Sequence, residues 1–394
     1  MYKSWKIRLE PLSPFLIGGH RIIDNHYESL DYIPGHVLQA AFARAILESH
    51  ADYDVSDHEK KYYIKSDSST ITASGCKKEW VHWFEYFSEL AFSDAVPLGK
   101  NKYTPTSFRC KNDEDHPIVE TLPERYTNRK KVGQPIKDFY CNVCGGRLER
   151  KGGWMFADDE RVIKRLVARN ALDSKTLTSK DEQLFSMSIG EKYSHVDLAG
   201  QRTKKLYFEA VVYAPEEAEH LEAATDEIVR VGAYITTGLG KMRITVMPMA
   251  PMTDWGIEEK VDKWRKEVKD DSIAVQVLSD VPLALDSERG GSYLETDDYL
   301  QLYTDWLIET STLPASAQVA FAYLQTYEKR GFVTGSNEYR EATLKRFIEN
   351  GGVFIFKAEN GKIPELESWV KRIVWEGMPI VGQDRSIRIP VKLL

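Results

Sequence analysis

Two series of strand and helix patterns constrain most strongly what this chain of 394 residues can fold into. In the first series, residues 6–18 (KIRLEPLSPFLIG) alternate in polarity as a half-buried strand does. An Ala-rich helix is predicted from about residue 36 to 48. Strands are predicted at 204–214 and 241–248, with an amphipathic helix at 215–232 between them. One further strand in the middle would complete a ferredoxin-like βαββαβ unit.

The second series follows PMAPMTDWG, residues 248–256, whose composition indicates a domain boundary. A charged helical linker is predicted at 257–269. The later elements are predicted in this order: a strand at 272–280, a helix at 297–309, strands at 316–327 and 351–359, a helix at 363–377 and a strand at 385–394. The sequence therefore predicts an α+β protein with two ferredoxin-like (RRM-like) βαββαβ domains, at residues 1–250 and 251–394.

The first domain contains an irregular stretch, from about residue 51 to 157, that we interpret as an insertion. It holds all four cysteines of the chain, two of them in CNVCGG at 141–146. Two thiolates three residues apart on a tight turn can bind one metal ion, and the glycines allow the backbone of that turn. In a cytosolic protein this spacing favours zinc over a disulfide.

A structural zinc site needs four ligands. Cys141 and Cys144 supply two of them. Cys110, in TSFRCKNDEDH, is the best third ligand, and His116, six residues later, is preferred over Cys76 as the fourth. Because four protein ligands leave no open coordination position, we expect a structural zinc ion that orders an insertion with little core of its own. The alternative is an unliganded CxxC in an exposed loop.

Charge is unevenly distributed along the chain. The net charge is −7, whereas a protein that only coats nucleic acid is more often basic. Residues 125–151, however, contain eight Lys or Arg against two Asp or Glu. This segregation allows an electropositive face on an acidic protein, although ordinary solvated helix faces produce similar clusters. Apolar runs fall far short of the ~18 residues of a membrane span, so we expect a cytoplasmic protein with no membrane partner.

A glycine-containing loop, YITTGLGKMRI, precedes the last predicted strand of the first domain. Gly238 and Gly240 lack Cβ atoms where a backbone could approach a ligand, and Thr236, Thr237 and Lys241 add donors for phosphate. The alternative is a helix C-terminal turn that uses glycine for positive φ. The loop is neither a Walker A loop nor a Rossmann fingerprint, because it opens a strand and no GK[ST] follows.

Five segments of the chain resemble motifs of one known family. IPGHVLQAAFAR (33–44) is similar to that family's IPGSSLRGALR-like helix, and GAYITTGLGKMRI (232–244) to its glycine-rich loop. RNALDSKTLTSKDEQLFS (169–186) resembles the segment before its third strand. GGVFIF (351–356) resembles a strand in the second half of the family's subunits that cap the crRNA 5′ end, and the CxxCG insertion after PLGKNKYTPTSFRC (97–110) resembles the type III-D member of that group. The family is the RAMP superfamily of CRISPR-associated RNA-binding proteins.

This resemblance implies a Cas-five-like subunit of a type III-D CRISPR effector, without catalytic activity. Such a subunit binds the 5′ handle of crRNA and docks to the large polymerase-like subunit and to RAMP backbone subunits. The glycine loop, the helix start and the basic run would hold the phosphates of single-stranded RNA, and Tyr126 with the other aromatic residues interleaved with that run could stack on its bases. The positions are His20, Gly35, His36, Arg129, Lys130, Lys131, Arg169, Thr236, Thr237, Gly238, Gly240 and Lys241. The second domain ends without a recognisable glycine-rich loop, which favours a protein–protein role for it.

Two other functions stay open from the sequence. A RAMP-family endoribonuclease that processes or cleaves RNA would use His20 and His36 as general base and acid, or Asp24 as a metal-dependent cleaving residue. Against this, that ribonuclease family has its glycine loop near the C-terminus, and a loop Asp is more simply a turn residue. The third possibility, favoured by the acidic net charge, is a zinc-stabilised protein-interaction scaffold without RNA.

Overall fold

The structure is a computed structural model in which the chain forms two compact units. It describes residues 2–18, 21–23, 26–53, 64, 72–100, 102–128, 140–153, 161–172, 179–196, 200–249, 256–283, 296–329, 332–333, 340–341, 345–359, 362–381 and 386–394. The first unit is Met1–Lys100 with Phe156–Met249, and the second is Asn101–Met155 with Ala250–Leu394. Among the described residues, no helix is long and apolar enough to cross a membrane.

The secondary structure is mixed α+β, as predicted, with mostly antiparallel strand pairing. The strands are β1 Tyr2–Pro11, β2 Arg21–Ile23, β3 His26–Glu28, β4 Ala91–Phe92, β5 Val96–Pro97, β6 Ser107–Cys110, β7 Val119–Glu120, β8 Leu148–Arg150, β9 Lys164–Leu172, β10 Ser179–Gly190, β11 Tyr193–Val196, β12 Arg202–Lys205, β13 Phe208–Pro215, β14 Ile228–Arg230, β15 Lys241–Pro248, β16 Ser272–Val277, β17 Val281–Leu283, β18 Ala317–Tyr323, β19 Thr326–Lys329, β20 Phe332–Val333, β21 Arg340–Glu341, β22 Lys345–Ile348, β23 Val353–Ala358, β24 Met378–Val381, β25 Ser386–Ile389 and β26 Val391–Leu393. The helices are α1 Gly35–Ser49, α2 Val81–Tyr86, α3 Leu122–Asn128, α4 Ile257–Val268, α5 Thr296–Ser311 and α6 Ile363–Glu376.

The main sheet of the first unit is built around β1. The strand order is β14-β15-β1-β13-β4, with β5 also paired to β13. Trp5, Ile7 and Leu9 of β1 are buried on one face, because successive side chains of a strand point to opposite faces. The predicted alternation in β1 and β13 is confirmed, as is the strand predicted at 241–248. Two-residue strand β4 lies within the middle of the chain, where a further strand was expected.

Helix α1 packs its apolar stripe into the core of the first unit. Leu38, Phe42 and Ile46 are fully buried, and their spacing of four residues places them on one face of a helix. The ring of Phe42 lies 4.8 Å from that of Trp83, between centroids, and 5.3 Å from that of Phe92. The aromatic stretch at 80–92 is therefore a packing segment with only one short helix.

The predicted helix at 215–232 is wrong. Strand β13 runs to Pro215, a 3-10 turn occupies Leu221–Ala224, and β14 follows. Ala218, Leu221 and Ala224 are all fully buried. Their spacing of three residues is shared by an amphipathic helix and by a 3-10 turn, which has three residues per turn. The apolar pattern was thus correctly identified as buried but assigned to the wrong backbone conformation.

A second sheet of the first unit, in the order β2-β3-β10-β9, is attached beside the main sheet by the segment that follows β1. Phe15 and Gly190 pair their backbones in both directions, with N–H to oxygen distances of 2.9 and 2.8 Å. Strands β11 and β12 continue the chain from β10 as a separate hairpin. This sheet therefore lies next to residues 12–17. The glycine loop lies next to the same residues, because the N–H of Gly240 donates to the carbonyl of Pro14.

The second unit contains a four-stranded antiparallel sheet in the order β18-β23-β16-β26. Helices α5 and α6 pack on it, with the Trp369 ring 5.1 Å from that of Phe356. The predicted helices at 257–269, 297–309 and 363–377 are confirmed, as are the strands that begin near 272, 316, 351 and 385.

Residues Asn101–Met155 pack with the second unit, whereas the sequence analysis placed the whole stretch of 51–157 in the first domain. Tyr126 of α3 is buried against Trp264 of α4, with ring centroids 6.1 Å apart. Its hydroxyl donates to the carboxylate of Asp270 at 3.1 Å. These contacts give the metal-binding part of the chain a core within the second unit.

Candidate functional site

The CxxC motif forms a compact turn between strands β6 and β8. Cys110 ends β6 and lies opposite Leu148 of β8. The N–H of Cys141 donates to the carbonyl of Gly146 at 2.8 Å, and the N–H of Gly145 donates back to Cys141 at 2.8 Å. Gly145 has φ 67°, a conformation that favours glycine. The turn therefore points both thiols toward the end of β6.

The structure brings together Cys110, His116, Cys141 and Cys144, whose ligand atoms all lie within 4.8 Å of one another. The Sγ atoms of Cys110 and Cys144 are 3.5 Å apart, and Sγ of Cys141 is 3.4 Å from Nδ1 of His116. Tetrahedral zinc with Zn–S bonds of about 2.3 Å would separate its ligands by roughly 3.8 Å. Cys76 packs against the core of the first unit instead.

Electrostatics within the cluster favour a bound cation. Burial opposes ionisation of Cys110, but hydrogen bonds with His116 and with backbone N–H groups lower its pKa to about 6. Hydrogen bonding to Cys110 raises the pKa of His116, and the carboxylate of Asp113 adds to this. Nε2 of His116 lies 3.4 Å from Asp113, the arrangement that orients a histidine ligand. Three sulfurs and one nitrogen suit zinc, which would cross-link residues 110–144.

The glycine loop connects β14 to β15 and contains a short 3-10 turn, Ile235–Thr237. Arg230 and Lys241 form the last pair of the two strands. The loop is anchored to the segment after β1: Gly240 N–H donates to the carbonyl of Pro14 at 2.8 Å, and Lys241 N–H donates to Oγ of Ser13 at 2.9 Å. Gly238 ends this 3-10 turn with φ 93°, so the alternative of a helix C-terminal turn with glycine at positive φ holds for this residue.

The two glycines of the loop occupy their positions for different physical reasons. A Cβ on Gly240 would lie 2.1 Å from the carbonyl oxygen of Val231, so this position is set by packing. Gly238 has φ 93°, and no atom of the described residues lies within 4 Å of where its Cβ would be. Gly238 is exposed, together with Thr236 and Thr237. Thr236, Thr237 and Gly238 therefore form the part of the loop that is open to a ligand.

Gly35, at the start of helix α1, is required for close packing. A Cβ on Gly35 would lie 2.4 Å from the carbonyl oxygen of Phe92, and its N–H donates to the carboxylate of Asp94 at 2.8 Å. His36, the next residue, is exposed. The glycine loop packs on residues 13–16 and the helix start on residues 92–94, so the two predicted RNA contacts rest on different parts of the first unit.

The other predicted positions divide into three groups. Arg169 lies on β9, opposite Phe185 of β10. Tyr126, a candidate stacking residue, is buried and cannot stack on RNA. The predicted positions that lie outside the described residues are His20, Asp24, Arg129, Lys130 and Lys131.

Sequence reasoning missed a small core that joins the glycine loop to the second sheet. It consists of Leu16, Met187, Ile189 and Leu239, all buried. The alternation of apolar and polar residues in LFSMSIG, residues 184–190, is the signal that could have identified β10 as half-buried. This core holds the loop against strands β9 and β10.

No protein-family model and no curated protein matches the chain. Among solved structures, it is similar to a chain of the type III-B Cmr-beta complex bound to cognate target RNA and AMPPnP, with TM-score 0.41, 11% identity and 98% of each chain covered. It is also similar to a chain of a type IV-B CRISPR complex, with TM-score 0.29, 12% identity, and 64% of this chain and 96% of that chain covered. Oligomeric Cmr4 from Pyrococcus furiosus has TM-score 0.25 and 9% identity, with 64% of this chain and 100% of that chain covered.

These solved structures are only distantly similar to the chain. Their TM-scores lie below 0.5 and their identities at or below 12%. What this chain binds is therefore argued from its own residues.

Zinc binding can be tested by replacing single thiols. Cys110→Ser or Cys141→Ser removes one of four ligands, so the purified variant should hold well under one zinc per chain, while the unaltered protein holds about one. Elemental analysis by mass spectrometry measures the content. Cys76→Ser is the matched control and should keep its zinc, because Cys76 lies in the other unit. Loss of zinc from this control would contradict the assignment.

The two loop glycines should differ in the cost of an added methyl group. Gly238→Ala places Ala at positive φ in open space, which costs about 1–2 kcal/mol of folding free energy. Gly240→Ala adds a clash with the Val231 carbonyl to the same strain, so it should cost clearly more. Urea denaturation of both variants gives the comparison, and equal costs would disprove the different roles of the two glycines.

Proposed function

We propose that the chain is a non-catalytic, RNA-binding subunit of a type III CRISPR ribonucleoprotein effector in the cytoplasm. In this role it holds the 5′ handle of crRNA and docks to the large polymerase-like subunit and to RAMP backbone subunits. The observation that carries the proposal is the glycine loop, in which exposed Thr236, Thr237 and Gly238 stand beside exposed Lys241. The Thr236 hydroxyl and the Lys241 ammonium group are donors of the kind that bind phosphate, whereas the Thr237 hydroxyl and the amides of Thr237 and Gly238 donate within the loop.

The strand order supports two ferredoxin-like units. In the second unit the elements β16, α5, β18, β23, α6 and β26 follow the βαββαβ order and pair as β18-β23-β16-β26. In the first unit β15-β1-β13-β4 has the equivalent order, with the second helix replaced by the turn at Leu221–Ala224. Sheets of this kind with adjacent loops hold single-stranded RNA in many proteins.

The zinc centre has a structural role in this proposal. Its four protein ligands leave no coordination position for a substrate, and the cluster lies in the second unit, whereas the glycine loop lies in the first. Zinc would hold the turn at 140–146 against Cys110 and His116 for contact with a neighbouring subunit. Val143, at 62% exposure, and Tyr140, at 52%, give the surface of this turn an apolar character suited to a protein partner.

The bound RNA itself tests the proposal. When the chain is expressed with its neighbouring genes and a repeat array, the copurified RNA should begin with repeat-derived 5′ ends. Sequencing of the bound RNA reads those ends directly. Lys241→Gln should reduce the RNA recovered, whereas Lys371→Gln, which removes an equally charged side chain from α6, should not. Recovery of protein partners without repeat-derived RNA would favour the scaffold function instead.

Absence of nuclease activity is a separate expectation. Purified protein incubated with repeat RNA and Mg²⁺ should leave the RNA intact, because no general base and acid are assigned to it. His36→Ala should behave like the unaltered protein when the products are separated on denaturing gels. Cleavage that disappears in His36→Ala or His20→Ala would instead establish the endoribonuclease alternative.

A further inference from the structure

A buried carboxylate holds two arginines from different strands of the first unit. Glu191, which follows β10, is only 3% exposed. Its Oε1 lies 2.8 Å from Nε of Arg165 on β9, and its Oε2 lies 3.3 Å from Nη1 of Arg202 on β12. Because a buried carboxylate is costly without a cation, these ion pairs restrain both guanidinium groups, although Oε1 of Glu191 makes no hydrogen bond within the described part of the chain. Two positive charges against one leave the cluster positive.

Both arginines remain accessible from solvent. The side chain of Arg165 is 52% exposed and that of Arg202 is 44% exposed. A guanidinium carries five N–H donors in a planar fork, and the contact with Glu191 occupies only part of them. An oxyanion at this surface would therefore meet arginines whose side-chain entropy has already been reduced by Glu191.

The cluster is continuous with the glycine loop. Ile189 pairs with Arg165 across β9 and β10, and it also packs with Leu239 of the loop. On the other side, Glu10 of β1 contacts both Lys205 of β12 and Arg243 of β15. Arg243 lies two residues beyond Lys241. The same surface thus runs from the loop across β15 and β1 to the β11–β12 hairpin.

The charge of this surface differs in sign from that of the whole protein. Its cations are Arg165, Arg202, Lys205, Lys241 and Arg243, and its carboxylates are Glu10 and Glu191. Five positive and two negative charges leave a net charge of +3, whereas the chain carries −7. A row of cations over several strands suits a polyanion that extends along it.

We propose that this basic surface, formed by Arg165, Arg202, Lys205 and Arg243, is a second contact site for the phosphates of single-stranded RNA, continuous with the glycine loop. The inference rests on the proposed function and extends it to residues that no motif identified. The planar guanidinium forks held by Glu191 match the geometry of phosphodiester oxygens. Glu191 is a positioning residue for them.

The salt dependence of RNA binding tests the site. The probe is a fluorescein-labelled single-stranded RNA of about 20 nucleotides, long enough to extend along a surface of this kind. Its binding to the full chain is measured by fluorescence anisotropy at several salt concentrations. In R165Q/R202Q, two lost phosphate contacts should reduce the slope of log K against log salt by about 1.4 and weaken binding roughly tenfold at physiological salt. R346Q, an equally exposed arginine of the second unit paired with Glu328, is the matched control and should change neither value.

Two further measurements separate a loss of phosphate contacts from a loss of folding and from recognition specific to RNA. Since R165Q/R202Q leaves Glu191 buried without a cation, circular dichroism checks folding, and R165Q/E191Q/R202Q, which removes the carboxylate too, should lose the same RNA affinity. Single-stranded DNA of the same sequence should lose the same factor, because the proposed contacts are to phosphates. A loss confined to RNA would overturn the assignment to phosphates.

The outcomes also distinguish this inference from the function on which it rests. If the unaltered protein binds no RNA, the proposed function fails and the inference fails with it. If the unaltered protein binds RNA and R165Q/R202Q binds it with the same slope, only the basic surface is overturned. Unchanged RNA binding with lost association to a partner subunit would assign the surface to an acidic protein.

Discussion

The central position of β1 is the constraint on which the first unit depends. Its backbone pairs with β13 on one side and β15 on the other, so its place in the sheet is fixed from both edges. The segment that follows it inherits this fixed position. The carbonyl oxygens of Pro14 and Leu16 accept hydrogen bonds from the amides of Gly240 and Ala233. These bonds set the position of the glycine loop. The residues on both sides of the exposed part of the loop are thus held by hydrogen bonds to the segment after β1, more than two hundred residues earlier.

The second unit depends on a different kind of interaction. Residues 102–128 and 140–153 have few long strands, and their stability comes from side chains that reach other parts of the chain. Tyr126 packs on Trp264 and Phe321, and Lys102 forms an ion pair with Glu349 at 2.6 Å. Cys110, His116, Cys141 and Cys144 lie close enough together for one metal ion to cross-link the remaining turns.

Sequence patterns identified those features whose partners are close along the chain. The CxxC turn, the strand alternation of β13 and β15 and the apolar stripe of α1 all arise from spacings of two to four residues. The helix expected at 215–232 shows where such spacing is ambiguous, because buried residues three apart suit a 3-10 turn equally well. Tyr126 was weighed as a stacking residue, since nothing near it in the sequence reveals Trp264.

By itself, the sequence determined the α+β class, most helices and central strands of both units and the cysteines of the candidate metal cluster, because these depend on local residue type and period. Only the tertiary structure decided which residues form one surface. Arg165, Glu191 and Arg202 are brought together by three separate strands, and Gly35 and Gly240 are explained by backbones that approach them from elsewhere. Such contacts follow from sheet pairing and core packing, which join residues irrespective of their distance along the chain.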